Sequence, residues 1–171
     1  MIREFKKEYR WLSNFAPCEI PFNGMLFASV EHAYMSAKSN ELEWKNFCAD
    51  SNNSPGTVKK KSKEIVLRED WESVKVEVMR QLLKMKFSQE PYRKLLLDTG
   101  DLYIQEGNWW GDTFWGVDLK SNTGENNLGL LIMAIRDELK EEESSKKLPR
   151  IMVERVVGFV RRLLRLEKRL P

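Results

Sequence analysis

Between Asp70 and Phe87 apolar residues recur at steps of three and four. Trp71, Val74, Val78, Leu82 and Met85 form one stripe, which predicts an amphipathic helix with Asp70 at its N-cap. The same spacing runs from Leu128 through Leu131, Ile132, Ile135 and Leu139 and predicts a helix to about Glu143. Shorter helices are expected over 30–39, where Ser29 is placed to cap, over 41–49 and over 91–98. Ahead of them, CEIPFNGMLF (18–27) reads as two short extended pieces around an Asn23-Gly24 turn, with Pro17 and Pro21 favouring edge positions. SNNSPG (51–56) reads as a turn-rich loop, and KKKSK (59–63) follows it as a basic, solvated segment or a set of phosphate-holding charges. Residues 99–124 break the pattern, with five glycines, several aromatics and little periodicity. A loop that long inside a compact domain is usually functional. The expected fold is mainly α with small β elements (α+β), a single domain over 1–143.

Residues 144–171 stand apart. After Pro149, Met152, Val156, Phe159, Leu163, Leu166 and Leu170 alternate steps of four and three, with Arg on the opposite side. This predicts a basic amphipathic C-terminal helix. It would dock on the body, form a homodimer contact, or serve as a membrane-surface or nucleic-acid arm. The formal net charge of +3 conceals this division. Residues 145–171 carry nine basic and two acidic side chains (+7), and residues 1–144 carry twenty and twenty-four (−4).

Composition removes several classes of function. No window approaches the ~20 apolar residues of a membrane span. The charged start, MIREFKKEYR, does not resemble a secretory signal, so a cytoplasmic protein with reduced Cys18 and Cys48 is expected. One histidine excludes the ordinary zinc sets, and no Walker or Rossmann glycine motif is present. Neither a metal nor a cofactor is expected. Acid, base and nucleophile would then come from Glu, Asp and Lys.

Two constellations suit that chemistry. Glu31 and Lys38, seven apart on the predicted helix, share one face about 10 Å apart along the axis. They read either as an acid–base and nucleophile pair or as two charges on a solvated face. Residues 106–118 (EGNWWGDTFWGVD) combine glycines, stacking faces at Trp109, Trp110, Phe114 and Trp115, and the carboxylates Asp112 and Asp118. That stretch reads as a ligand-lining loop or as a structural aromatic cluster. His32 reads as a packed or hydrogen-bonded histidine.

The segments EYRWLSNFAPCEI (8–20), SVEHAYMSAKS (29–39), SPGTVKKKSK (54–63), LREDWESVKVEVM (67–79), LLLDTGDLYIQEGNWWGDTFWGVD (95–118) and GENNLGLLIMAIR (124–136) resemble, in order and spacing, the NADAR family, also called YbiA-like. The resemblance covers residues 4–143. It implies a YbiA-like fold and an N-glycosidase that breaks the bond between ribose C1′ and an amino nitrogen. It implies substrates of two kinds: ribosylamino-pyrimidine intermediates of riboflavin synthesis, or ADP-ribosylated guanine. The partners are then ADP-ribose or a ribose-phosphate-linked base, with ADP-ribosylated DNA included. The alternative is a non-catalytic ADP-ribose or nucleotide-binding module. By the motif match, Glu31 falls on the functional glutamate, Lys38 on the lysine proposed as Schiff-base former, and Trp71, Asn108, Trp110, Gly111 and Asp112 on characteristic site positions. Proton transfer is assigned to Glu31 or Asp112. Ribose hydroxyls are assigned to Asn14, Asn108 and Asn126, stacking to Trp110 or Trp71, and phosphate to Arg10 or Arg68. Phe15 and Asp118 join the binding set. KKKSK departs from the K-x-x-G-R usual in that loop.

Overall fold

The computed structural model describes residues 1–146, so the expected helix over 149–171 and the dimer contact assigned to it lie outside the described residues. The chain opens with a 3-10 turn, Lys7–Leu12. The hairpin β1 (Ile20–Phe22) and β2 (Met25–Phe27) follows, then α1 (Val30–Ser36), α2 (Leu42–Ala49), α3 (Pro55–Lys61), α4 (Trp71–Phe87) and α5 (Tyr92–Asp98). Two short strands, β3 (Gly107–Asn108) and β4 (Val117–Asp118), precede α6, which covers 127–146. The α+β expectation matches this architecture, and α6 continues three residues past the predicted boundary at 143.

The hairpin closes at Asn23 and Gly24, whose φ angles of 50° and 75° are both left-handed, the conformation that two-residue turns between right-twisted strands require. Ile20 pairs with Phe27 and Phe22 with Met25. Ile20, Phe22 and Phe27 are buried and join the core.

Ser29 caps α1 by accepting from the amide of His32. Every residue of α1 is buried, because α2, α3, α4 and the hairpin surround it. His32 is consumed structurally: Nε2 donates to the Asn53 carbonyl at 2.8 Å, so Nδ1 accepts from the Ser29 hydroxyl at 2.8 Å. That latch ties α1 to the loop before α3. α3 itself was not expected. Ser54 caps it and Pro55 occupies its first turn, so the SPG of the expected loop is a helix start.

α4 buries Trp71, Val78, Met79, Leu82, Leu83, Lys86 and Phe87, a face wider than the predicted stripe. Asp70 stands at its N-cap position but caps nothing; its carboxylate turns back to Arg68 Nε at 2.5 Å and Nη2 at 2.8 Å. The aperiodic stretch is anchored at both ends. The first residues lie along it, with Ile2 N donating to Tyr103 O (2.8 Å) and Gly107 N to Arg3 O (3.0 Å), and β3 pairs parallel with β4. Among the described residues no helix is long and apolar enough to cross a membrane.

Candidate active site

Steps of three and four place Glu31, Tyr34 and Met35 on one face of α1, which ends at Ser36 rather than at 39 as expected. The turn that follows, with Lys38 N donating to Met35 O at 3.2 Å, keeps Lys38 beside that face, and Trp71, Glu72, Lys75 and Met79 line the facing side of α4. Between these faces lies a cavity of about 460 Å³. Ser13–Phe15, Glu106, Trp110, Asp112, Phe114 and Trp115 close it, with Lys59 from α3 and Leu128 from α6. The size suits one small ligand.

Each wall is held from behind. Ser13 O accepts from the buried Lys86 Nζ at 2.7 Å, and Asn14 O accepts from Glu31 N at 3.0 Å. Asn14 Nδ2 reaches Met79 Sδ at 3.4 Å. Opposite, the Asn108 side chain folds its loop: Oδ1 accepts from the amides of Trp110 (3.3 Å) and Asp112 (3.0 Å), and Nδ2 donates to Asp112 O (2.7 Å). Gly111, at φ +80°, supplies the left-handed step this fold-back needs. Asp112 Oδ1 then accepts from Phe114 N (3.1 Å) and Trp115 N (2.9 Å). The aromatic lining is continuous. Tyr34 lies 5.1 Å from Trp71 and 5.7 Å from Trp115 between ring centroids, and Trp115 lies 5.0 Å from Phe114.

Charge is concentrated in this small volume. Lys38 Nζ sits 5.8 Å from the Tyr34 ring centroid and 5.9 Å from that of Trp71. Burial lowers its pKa below the usual lysine range, with Glu31 partly opposing the shift. Glu31 is 3% exposed; burial raises its pKa, while Lys59, with Nζ 3.5 Å from Oε1, and Lys38 pull the other way. Burial pushes the Glu106 carboxyl to about 8, with Asp112 and Glu31 adding to the rise and Lys59 opposing it. Three buried oxygens on this lining, Asn14 Oδ1, Glu31 Oε1 and Glu106 Oε2, have no hydrogen-bond partner among the described residues.

Of the residues singled out in the sequence, Glu31, Lys38, Asp112, Asn14, Phe15, Trp71, Trp110, Phe114 and Trp115 come together here, with Lys59 of the basic run. The others do not line the cavity. Asn108 is fully buried in its loop. Asn126 is spent on Glu106 N (2.9 Å), Ile104 O (2.9 Å) and Tyr103 Oη (3.1 Å). Asp118 accepts from the amide and hydroxyl of Ser121 and closes the following turn. Arg10 is exposed on the 3-10 turn, and Arg68 is paired with Asp70 beside a separate shallow groove. Of the basic run, Lys59 alone lines the cavity. Glu106, Tyr34, Glu72, Lys75 and Met79 also line the cavity and carry no role in the sequence expectations. Helical spacing from Glu31 and Trp71 points to Tyr34, Lys75 and Met79 but not to Glu72 or Glu106. Among the described residues no group of His, Cys, Asp and Glu is placed to hold a metal ion.

A family model described as NADAR domain matches residues 2–140. The N-glycosidase YbiA of Escherichia coli is 32% identical over 139 residues, 80% of this chain and 85% of that protein. A riboflavin biosynthesis protein of Vibrio vulnificus is 32% identical over 137 residues, 79% of this chain but 37% of the Vibrio protein, so the chain spans little more than a third of that relative. The NMR structure of E. coli YbiA superposes with a TM-score of 0.73 at 30% identity, covering 83% of this chain and 84% of that one.

Proposed function

The chain belongs to the NADAR domain family, and from that premise we propose that it is an N-glycosidase acting on the bond between ribose C1′ and the exocyclic amino nitrogen of a base. The observation that carries the reading is a meeting of opposites in one cavity. A lysine amine whose charge is disfavoured by burial stands with two buried acceptor oxygens: Asn14 Oδ1, which has no donor, and Glu31 Oε1, which meets only the Lys59 ammonium at 3.5 Å. Buried acceptors are normally satisfied. A ribose brings hydroxyl donors to both oxygens, and an aromatic wall of Tyr34, Trp71, Trp110 and Trp115 suits the flat base. Lys59 and Lys75, on the lining, are better placed for a phosphate than Arg10 or Arg68.

The chemistry follows from the groups present. Protonation of the ring oxygen opens the riboside to a C1′=N imine. The neutral Lys38 amine adds to C1′, and the base amine departs with its electron pair and a proton, leaving a Lys38–C1′ Schiff base. Water adds to C1′ and expels Lys38, so one water is consumed per bond broken. Of Glu31 and Asp112, Glu31 is the better proton carrier, because Asp112 Oδ1 already holds two amides. A direct route without the Schiff base would use the same carboxylates.

Substrates of both kinds present this bond: a ribosylamino-pyrimidine phosphate, and ADP-ribosylated guanine, free or in DNA. The test offers each to the purified protein and measures released sugar phosphate or ADP-ribose. Turnover of either supports the reading; tight binding with no release of product from either overturns it in favour of a binding module. Borohydride added during turnover should leave a mass adduct on Lys38, and an adduct-free, fully active Lys38→Ala would remove the Schiff-base step.

A further inference from the structure

Three features of Glu106 are unaccounted for. It lines the cavity, its Oε2 is buried without a partner, and its backbone is clamped more tightly than a loop residue needs. Its amide donates to Asn126 Oδ1 at 2.9 Å, and its carbonyl accepts from Val117 N at 2.9 Å. Gly116 is pressed so close to that carbonyl that a Cβ there would lie 2.2 Å from the Glu106 oxygen. Asn126 is fixed in turn by Ile104 O and by Gly129, whose added Cβ would meet the Asn126 side chain at 2.6 Å. A backbone held like this, rather than left to a mobile loop, is the support a reacting side chain requires.

Resting on the N-glycosidase reading, we propose that Glu106 is the proton donor to the departing base nitrogen. Whether Lys38 or water takes C1′, the C1′–N bond breaks with its electron pair going to nitrogen, and that nitrogen needs a proton to leave as an amine. Neutral Glu106 supplies it from the carboxyl and is left as a carboxylate; a proton from the attacking water restores the acid. The surroundings suit both states. Asp112 and Glu31 across the cavity and Glu4 of the N-terminal segment disfavour charge on Glu106, whereas Lys59 of α3 and Lys86 of α4 attract it. With burial these keep the carboxyl protonated up to about pH 8. The clamp also gives Asn126 and Gly116 a purpose as positioning residues.

The experiment compares wild type, Glu106→Gln and Glu106→Asp on a series of N-aryl ribosylamine phosphates whose departing anilines grow less basic. Glu106→Gln should lose about 10²–10⁴-fold in kcat on the most basic amine, with KM changed only a few-fold. The loss should shrink steadily as the amine becomes easier to expel. Glu106→Asp should be slow but keep the alkaline fall in rate near pH 8, which Glu106→Gln should lack. A Glu106→Gln protein with undiminished kcat, or one equally impaired on every amine, overturns the assignment while leaving the N-glycosidase reading intact. Wild type inert on the whole series and on both nucleotide substrates overturns that reading and this one with it.

Discussion

A lysine amine placed near 6 Å from both the Tyr34 and Trp71 ring centroids gives up hydration, and only part of that loss is returned by Glu31. The neutral, nucleophilic form is therefore present at lower pH than for an exposed lysine. The rate should climb as rising pH takes the proton from Lys38, and this gain should be opposed near pH 8 as Glu106 loses its own proton. Glu31 holds the Lys38 proton on, so Glu31→Gln should move the acid limb of the pH–rate profile to lower pH while reducing the rate at its maximum. An acid limb that stays in place would detach Lys38 from the chemistry. Lys38→Arg keeps charge and bulk but not a nucleophile at neutral pH. It should cut kcat at least about 10³-fold, with ligand affinity, measured by calorimetry, changed only a few-fold.

Elements hold these residues, and two of the fixings should be visible in stability. Lys86 is fully buried and its pKa is pushed down to about 7. Between pH 7 and the ordinary lysine value of 10.5 the unfolded chain binds a proton that the native chain does not, so this group makes the fold more stable as pH rises through that window. Lys86→Met removes the dependence. Its melting midpoint should compare best with wild type at pH 6 and lose ground by several degrees by pH 9, and its KM should rise because Ser13 O has lost its donor. Asn126→Ala strips partners from Glu106 N and Ile104 O, about 1–3 kcal/mol. At about 2–4 °C per kcal/mol for a chain of this length, a fall of about 2–12 °C in melting midpoint should follow. Local signals made most elements legible. Asn23-Gly24 announces the hairpin, Ser29 the start of α1, and the three-and-four spacing α4 and α6. α3 was obscured because Ser54-Pro55 is also a turn signal and Gly56 follows it. The pairing of Ile2 with Ile104 and of β3 with β4 joins residues with no shared local pattern, so nothing nearby in the chain encodes it.

At the scale of the whole molecule, the same distinction divides the site. Glu31, Lys38 and Trp71 were readable because helices convert spacing into a face. In the loop, motif density marked Asn108, Asp118 and Asn126 as strongly as Asp112, yet those three hold backbone or turns and Glu106 reaches the cavity. A polar side chain that binds a ligand and one that binds an amide look alike until the chain is folded. Among the described residues, those lining the cavity fall between Ser13 and Leu128, within a body whose first 144 residues carry a net −4. A chain ended after Lys146 should therefore fold, melt within a few degrees of the full chain, and hydrolyse a small ribosyl phosphate with kcat/KM within about two-fold. Binding to a single-stranded oligonucleotide should behave differently. Phosphate contacts by Lys and Arg make affinity fall with salt roughly in proportion to their number. If the +7 of residues 145–171 supplies those contacts, the full chain should show a steep salt dependence in a fluorescence anisotropy titration, and the shortened chain almost no binding. Loss of turnover on the small substrate would instead mean that the segment completes the cavity. Equal oligonucleotide binding by both chains would assign the contacts to Lys59 and its neighbours on α3.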